Sequence, residues 1–446
     1  MDKARETAMK ILHEVHENGA YANVALVQQL RQARLSEIDR RFVTELVYGA
    51  VKAGDTLDWM LRRYVNRPLS KIPPMVRDIL RLGLYQIFFM DKVPASAACN
   101  ESVELTKRYG HAGTVKFVNA VLRTAVREPE KAAFPEGRGK AAEHLALRSQ
   151  HPQWLVKRWI REFGYEETER LCAFDNEQAV LSLRANTLKT TRENLSDILA
   201  EEGAAVKYSE WAPEGLLCVQ HGSLDAMSSL QEGLFQVQDE SSMQVAYVVD
   251  PQPGEFIIDA CSAPGGKTTH MAALMKNEGR ILAGDIYEHK LVRIAENAER
   301  LGIDIIETKL LDAREIGGLY AKQADRVLVD APCSGLGVLR RKPDARWKKT
   351  PELLQELPGL QLAILKSAAA AVKPGGILVY STCTIAREEN AAVVEAFLAA
   401  QQDFVLEDTG EFLPLQKRAE KLVQLYPQRD GTDGFFIARM KRKETC

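Results

Sequence analysis

Apolar residues recur at three- and four-residue spacing through the first 128 positions. The stretches "ARETAMKILHEV", "IDRRFVTELVYGAVKAGDTLDWMLRRYV" and "PPMVRDILRLGLYQIFFM" carry this period, which predicts helices. Pro73, Pro74 and Pro94 punctuate them, because the residue before a proline is pushed out of the helical region. "ASAACNESVELTKRYG" and "TVKFVNAVLRTAVRE" complete an expected all-α bundle of about seven segments over residues 1–130. The polar run "EKAAFPEGRGK" at 130–140 reads as a linker. Beyond it the pattern mixes. "HPQWLVKRWIREFG" predicts a helix, "AVLSLRANTLK" a strand, "TRENLSDILAEEG" a helix, and "LLCVQHG" and "LFQVQDE" short strands. Residues 141–234 are thus expected to form a small α+β module.

From Phe235 to the end, 235–446, strands alternate with helices. "EFIIDAC", "GRILAGDI", "IIETKLLD", "ADRVLVDAP" and "GGILVYSTC" are apolar strands. Between them lie the helical "GKTTHMAALM", "HKLVRIAENAERLG" and "LLQELPGLQLAILKSAAAAV", the last expected to break at Pro358. This alternation predicts an α/β, Rossmann-like domain with a doubly wound, mostly parallel sheet. In such sheets ligands bind beyond the carboxyl ends of the strands. Asp259–Cys261, Asp285, Asp312, Asp330–Cys333 and Thr382–Cys383 all fall there.

Composition narrows the picture. A chain of 446 residues, 46% hydrophobic and 27% charged, is ordinary for a multidomain globular protein. No run approaches the roughly 20 uncharged apolar residues a bilayer span needs, and the start lacks a signal peptide's apolar core. A cytoplasmic protein without a membrane partner is expected. The seven cysteines (Cys99, Cys172, Cys218, Cys261, Cys333, Cys383, Cys446) show no Cys-x-x-Cys or zinc-finger spacing, so neither a disulfide framework nor a metal site is expected. The net charge of −2 hides an asymmetry: residues 1–128 carry 20 Lys+Arg against 14 Asp+Glu, so +6, which leaves −8 for the rest. A basic helical domain suits an anionic partner.

Two stretches carry candidate chemistry. "IIDACSAPGGKTTHM" joins a strand to a helix through Gly265 and Gly266, whose lack of a side chain permits a tight turn and close approach of a ligand. Gly266, Lys267 and Thr268 match the end of a nucleotide-triphosphate loop, but Cys261 stands where its first glycine belongs. The dinucleotide fingerprint fails as well, since the two glycines are adjacent. Asp285 closes the next strand, where a carboxylate reaches ribose hydroxyls. An adenosine-containing ligand without a phosphate chain, such as S-adenosylmethionine, satisfies this pattern. An ordinary strand-to-helix turn satisfies the glycines alone equally well.

The second stretch, "VDAPCSGLGVLRRKPDARW", places Cys333 beyond one apolar strand, and "YSTCTI" places Cys383 beyond another. An isolated cysteine is usually small buried filler, the reading for Cys99, Cys172 and Cys218. Two at one sheet edge, with Lys and Arg near in sequence, invite a thiolate. Residues 340–349 carry Arg340, Arg341, Lys342, Arg346, Lys348 and Lys349 against Asp344, net +5. This run is either a solvated loop or a phosphate-binding segment, and Trp347 either stacks on a base or anchors the loop.

The motifs "DACSAPGGKT", "VDAPCSGLGVLRRKPDARW" and "YSTCTIAREEN", in that order over the last 210 residues or so, closely resemble the RNA cytosine-C5 methyltransferases. Ser262 stands where the family usually has Ala. The N-terminal helices resemble the NusB-like RNA-binding domain, and the fusion resembles bacterial 16S ribosomal RNA methyltransferases of this type. The resemblance implies a class I S-adenosylmethionine-dependent fold and transfer of methyl to C5 of a cytidine in 16S rRNA, at cytosine 967 in standard ribosomal numbering. It implies that Cys383 attacks C6 of the base and that Cys333 helps release the product. It implies that Asp330 contacts the cytosine ring and that Lys267 lies near cofactor and base. Cys261, Ser262, Ala263, Pro264, Gly265, Gly266, Lys267, Asp285, Asp312 and Asp330 then form the cofactor shell, although Asp312 by itself reads as a helix cap. Arg340, Arg341, Lys342, Arg346 and Trp347 are the expected RNA contacts. The substrate implied is naked small-subunit rRNA or an early assembly intermediate, bound by a monomer. A transfer-RNA cytosine methyltransferase and a non-catalytic RNA-binding or antitermination factor are the competing readings.

Overall fold

The computed structural model describes residues 2–137 and 139–444, the side chain of Asp225 excepted. Arg138 of the linker stretch and Cys446 lie outside the described residues. Two compact units divide the chain: residues up to Asn176 together with Lys342–Lys349, and Glu177–Arg341 together with the chain from Thr350 onward.

In the first unit the three- and four-residue periodicity becomes six α-helices: Lys3–Glu17, Ala22–Gln32, Glu37–Leu61, Pro74–Phe89, Ala95–Tyr109 and Ala112–Arg127. Their apolar stripes meet in one core, where Met9, Leu12, Leu46, Val47, Leu57, Ile79, Leu80 and Leu122 are fully buried. Glu37–Leu61 is two helical segments joined across a kink at Gly54, which sits at φ 35°, outside helical geometry, so the bundle has the expected seven segments. The stretch read as a linker begins with a 3₁₀ turn at Pro129–Ala132, and Phe134 packs 5.7 Å from Trp59. Three further helices, Ala141–Ser149, Gln153–Phe163 and Tyr165–Phe174, belong to the same unit. Hydrogen bonds tie them back to Glu37–Leu61: Thr56 Oγ1 donates to Leu147 O at 3.3 Å and Lys52 Nζ to Asn176 O at 3.2 Å.

The second unit holds two sheets. Strands β1 (Leu181–Ala185), β2 (Ala205–Tyr208), β3 (Gly215–Gln220) and β4 (Phe235–Val237) pair antiparallel in the order β2-β3-β1-β4. Leu183, Leu216 and Phe235 pack on Leu195 and Leu199 of the helix Arg192–Glu201, all fully buried. Residues 141–176 of the stretch read as one module belong to the first unit, and the remainder forms an α+β fold with β2 added. Three of its four residues are exposed, so it carries no apolar signal.

The larger sheet contains β5 (Phe256–Asp259), β6 (Arg280–Asp285), β7 (Ile306–Leu310), β8 (Ala324–Asp330), β9 (Val372–Thr382), β10 (Phe404–Leu406), β11 (Leu422–Leu425) and β12 (Phe435–Arg442). Its order is β10-β12-β9-β8-β5-β6-β7, with β11 on β12. The five strands from β9 to β7 are parallel, and β10, β11 and β12 run antiparallel. Ile257, Ile258, Val327–Val329 and Leu378–Tyr380 are fully buried, which is why these strands read as continuous apolar runs. The helix Pro351–Ala371 does not break at Pro358. The ring removes one backbone donor there, and Ile364, Leu365, Ala368 and Ala369 still seal the helix onto the core. The chain enters the sheet at β5, builds β6 and β7 on one side, then returns to β8 and β9 on the other. The strand direction of build-up reverses between β5 and β8, and a crevice opens at such a reversal. Among the described residues no helix is long and apolar enough to cross a membrane.

Candidate active site

The loop after β5 is shaped by Gly265, at φ 98°, directly before the helix Gly266–Leu274. A β-carbon at 265 would sit strained at this φ and only 3.3 Å from Ile294 Cγ2. Ser262 fastens the loop to β6 by donating N–H and Oγ–H to Gly284 O, each at 2.9 Å. Arg184 of β1, almost fully buried, clamps the helix start by donating to Gly266 O at 2.7 Å and Thr269 Oγ1 at 3.0 Å. Arg184 was not a candidate from the sequence, and nothing local to "LSLRA" marks it.

Lys267 extends from this turn to Asp330 at the tip of β8, Nζ to Oδ2 2.8 Å. Ser381 Oγ donates to the other oxygen at 2.8 Å, and Phe435 lies 5.0 Å from the ammonium. Burial alone would lower the Lys267 pKa. The Asp330 carboxylate, helped by Cys383 and Asp259, outweighs it and holds the lysine charged. Asp259, fully enclosed at the end of β5, is pushed up to about 7, first by burial and then by the Asp330 charge, against a 2.7 Å hydrogen bond from Thr268 Oγ1 and the nearby Lys267. Cys261 is likewise raised by burial and then by Asp259, Asp330 and Asp285, so it is a neutral thiol among carboxylates.

The two thiols predicted from sequence meet. Cys333 Sγ and Cys383 Sγ are 3.3 Å apart. The hydrogen bond with Cys383, followed by burial, drives the Cys333 pKa far above the ordinary thiol range. Cys333 therefore keeps its proton at neutral pH. Their supports differ. Cys383 follows β9 directly, and Thr382 is in register with Phe436 of β12. Cys333 lies three residues beyond β8, and side chains hold its loop. Glu389, fully buried, accepts from Ser334 N at 2.8 Å, from Ser334 Oγ, and from Gln361 Nε2 at 3.0 Å. The sequence reading did not include Ser334, Gln361, Glu389 or Asn390. Asn390 accepts from Thr382 Oγ1 at 2.6 Å and donates to Thr384 O at 2.9 Å.

Asp285 ends β6 nearly buried, accepting from Tyr287 N at 3.0 Å with Lys290 3.6 Å away. Asp312 caps the turn Ala313–Glu315 and pairs with Arg314 through both oxygens, the cap its sequence context suggests. Ala263 and Pro264 complete the loop between Ser262 and Gly265.

The basic stretch falls elsewhere than the phosphate-binding reading requires. Arg340 and Arg341 pair with Asp433, and Arg341 also pairs with Asp239. Residues 342–349 belong to the helical unit. Within that unit Arg346 is 0% exposed and donates to Gln150 O at 3.0 Å, Asn176 Oδ1 at 2.9 Å and Asp175 O at 3.1 Å. Its guanidinium is consumed by these acceptors and has no face for a phosphate. Trp347 donates Nε1–H to Lys52 O at 3.1 Å and lies so close over Gly54 that a β-carbon there would fall 2.3 Å from Nε1. It is an anchor in this packing and not a base-stacking platform. Lys342 is exposed.

A reversed parallel sheet with a glycine loop, a strand-tip carboxylate and a paired-thiol crevice defines a Rossmann-like methyltransferase domain. The model for "16S rRNA methyltransferase RsmB/F" matches residues 246–441, the NusB family model residues 2–127, and the RsmF/B-like ferredoxin-like domain model residues 151–225. A probable ribosomal RNA small subunit methyltransferase B of Bacillus subtilis is 41% identical over 98% of both chains, and one of Synechocystis is 40% identical over 99% of this chain and all of its own. The ribosomal RNA small subunit methyltransferase B of Pectobacterium carotovorum is 32% identical over 98% of both chains. Among solved structures, PH0851 superposes with a TM-score of 0.84 at 28% identity over 99% of both chains. NSun6 from Pyrococcus horikoshii with SFG gives 0.60 at 26% identity, over 66% of this chain and 99% of its own. The chain belongs to the RsmB family of 16S rRNA methyltransferases, with a NusB region at its N-terminus.

Proposed function

We propose that this protein methylates C5 of a cytidine in 16S rRNA, at cytosine 967 in standard ribosomal numbering, through a transient bond between Cys383 and C6 of the base. The observation that carries this reading is the 3.3 Å approach of Cys333 and Cys383 Sγ beside the Lys267–Asp330 pair.

The donors present suit an adenosyl sulfonium compound. Asp285 offers a carboxylate where ribose hydroxyls are read, and Gly265 leaves the turn open to a ligand. Asp330 and Asp285 supply carboxylates for a cationic ligand, and the missing first glycine argues against a triphosphate. NSun6, 26% identical, has been solved with SFG, an analogue of S-adenosylmethionine. When bound, S-adenosylmethionine supplies an electrophilic methyl group. Gly265, Asp285 and the Cys261–Lys267 loop would hold it.

The remaining work belongs to the chain. C5 of cytosine is a weak nucleophile. When Cys383 Sγ bonds to C6, the electron pair of the C5–C6 double bond shifts toward C5, which then accepts methyl. Asp330, fixed by Lys267 and Ser381, supplies the polar contact for the pyrimidine ring as charge develops there. Lys267 favours a Cys383 thiolate by the same attraction that favours its own charge. Release requires transfer of the C5 proton to solvent water, with the C5–H electron pair re-forming the C5–C6 double bond and Sγ leaving C6 as a thiolate. Cys333, which keeps its proton, hydrogen-bonds the departing sulfur. The base must leave its stack to reach this crevice, which favours a loop cytosine over a paired one. The NusB region and middle module are the surfaces for the surrounding RNA, with exposed Lys342 as a phosphate contact.

Naked 16S rRNA and transfer RNA, each incubated with methyl-labelled cofactor, test the reading. Label confined to 16S rRNA and mapped to one cytidine is expected. Label in transfer RNA overturns the substrate, and RNA binding without any methyl transfer overturns the activity.

A further inference from the structure

We propose that Glu389 is the positioning residue that sets the gap between the two thiols, by clamping the Cys333 loop from both sides of the cysteine. The role rests on the reading of Cys333 and Cys383 as the working pair.

The carboxylate is fully buried, and among the described residues no Lys, Arg or His forms an ion pair with it. Neutral donors surround it. Ser334 N, immediately after Cys333, donates to Oε2 at 2.8 Å, and Ser334 Oγ donates to Oε1. Gln361, also fully buried, bridges Oε2 at 3.0 Å and Pro332 O, immediately before Cys333, at 2.9 Å through a single Nε2. The residues on either side of Cys333 are thus tied to one carboxyl group. That group stands six residues after Cys383, whose own neighbour Thr384 shares a 2.8 Å hydroxyl contact with Ser334. Tyr380 OH fixes the clamp itself by donating to Glu389 O at 2.6 Å.

A buried anion without a counter-ion is a poor device for stability, because desolvation opposes it and an apolar residue of similar volume serves as well. It is a good device for drawing backbone N–H, hydroxyl and amide donors to one point, since hydrogen bonds to an ionised acceptor are short and strong. Cys383 needs no such help, because the β9 and β12 ladder carries it. Cys333 has no strand beneath it: Ala331 N and Gly337 N tie the two ends of its loop to Ser381 O at 2.9 Å and Cys383 O at 3.1 Å, and the clamp fixes the residues between those ends. The Glu389 charge also contributes to keeping the proton on Cys333.

Phenylarsine oxide tests the gap directly. Two S–H bonds break, two As–S bonds form on one arsenic and one water leaves, with no change of oxidation state, so capture requires two close thiols. The native chain is expected to take up one arsenical, and Cys333→Ser to take up none at the crevice. Glu389→Leu, which removes the acceptor of Ser334 N, Ser334 Oγ and Gln361 Nε2, is expected to slow capture at least tenfold, with Glu389→Asp intermediate. Gln361→Leu loosens one arm only and is expected to slow capture severalfold, which keeps the test open if Glu389→Leu folds poorly. Native capture rates in folded Glu389→Leu and Gln361→Leu overturn the clamp, even if melting temperature falls, since a merely structural role would lower only that. The arsenical needs neither RNA nor methyl donor. Failure of Cys333→Ser to accumulate a denaturant-resistant RNA complex would overturn the covalent reading and leave the clamp standing.

Discussion

Two regions bring cations into the neighbourhood of a thiol in the sequence, and the fold treats them in opposite ways. After β5, a single lysine, Lys267, follows two glycines and ends 2.8 Å from Asp330 at a strand tip, still 14% exposed. After Cys333, six cations crowd into residues 340–349, and the fold takes up four of them: Arg346 by carbonyls, Arg340 and Arg341 by Asp433 and Asp239, and Lys348 by Gly19 O and Ala20 O. Density of charge did not predict availability. What decides it is whether the backbone beneath the side chain delivers it to a crevice or to buried acceptors. A strand-to-helix turn does the first by geometry. A loop that enters another folded unit does the second.

The sharpest way to break the contrast is at the crevice. Cys383→Ser should reduce methyl transfer at least about 10³-fold, because an alcohol at neutral pH is a far poorer nucleophile than a thiolate. Filter-bound label on 16S rRNA measures it, and normal turnover would remove the crevice as the reactive region. Lys267→Met comes next. It leaves Asp330 without its cation and removes the charge that favours a thiolate, so turnover should fall about 10²-fold. The thermal unfolding temperature should fall only modestly, because the Asp330 side chain, 26% exposed, still reaches water once its partner is gone. A loss confined to KM would instead assign Lys267 to RNA binding alone.

The same contrast explains what could be read in advance. The glycine loop, Asp285, Asp330 and both cysteines were legible, because each lies at a strand end, and strand ends follow from local apolar runs. The residues that brace these positions were not. Arg184 reaches Gly266 across 82 positions, and Gln361 and Ser334 meet Glu389 across 28 and 55. No local period encodes such pairs. β12 also escaped notice: "FFIARMKR" follows two short strands and the four-residue helical turn Pro427–Asp430, too short to show a helical period, which breaks the alternation. Arg346 bonds residues 170 to 196 positions away, so its sequence neighbourhood of cations pointed to solvent while its partners lay in the helical unit.

Arg346→Met sharpens the comparison from the absorbed side. It leaves Gln150 O, Asp175 O and Asn176 Oδ1 buried without their donor, which costs about 1–3 kcal/mol. Denaturant unfolding of the intact chain should register that loss. Methyl transfer per folded molecule should fall less than about threefold, and the salt dependence of RNA binding should not move. A changed salt slope would mean that Arg346 leaves its pocket to meet phosphate.

Lys342→Ala is the smallest expected effect and the complement of Arg346→Met. Lys342 is exposed where Arg340, Arg341, Arg346 and Lys348 are taken up by protein acceptors, so its charge stays in water. Each phosphate a lysine neutralises releases counterions, and the slope of log affinity against log salt carries about 0.7–0.9 per contact. Removing Lys342 should therefore weaken 16S rRNA binding a fewfold at low salt and reduce the slope by about 1, with no preference among RNA sequences. Stability should stay within about 0.5 kcal/mol, as for most exposed positions. A salt titration of both variants compares the two halves of the stretch directly. If Lys342→Ala leaves the slope unchanged, Lys342 is not a phosphate contact and the RNA path runs over other residues.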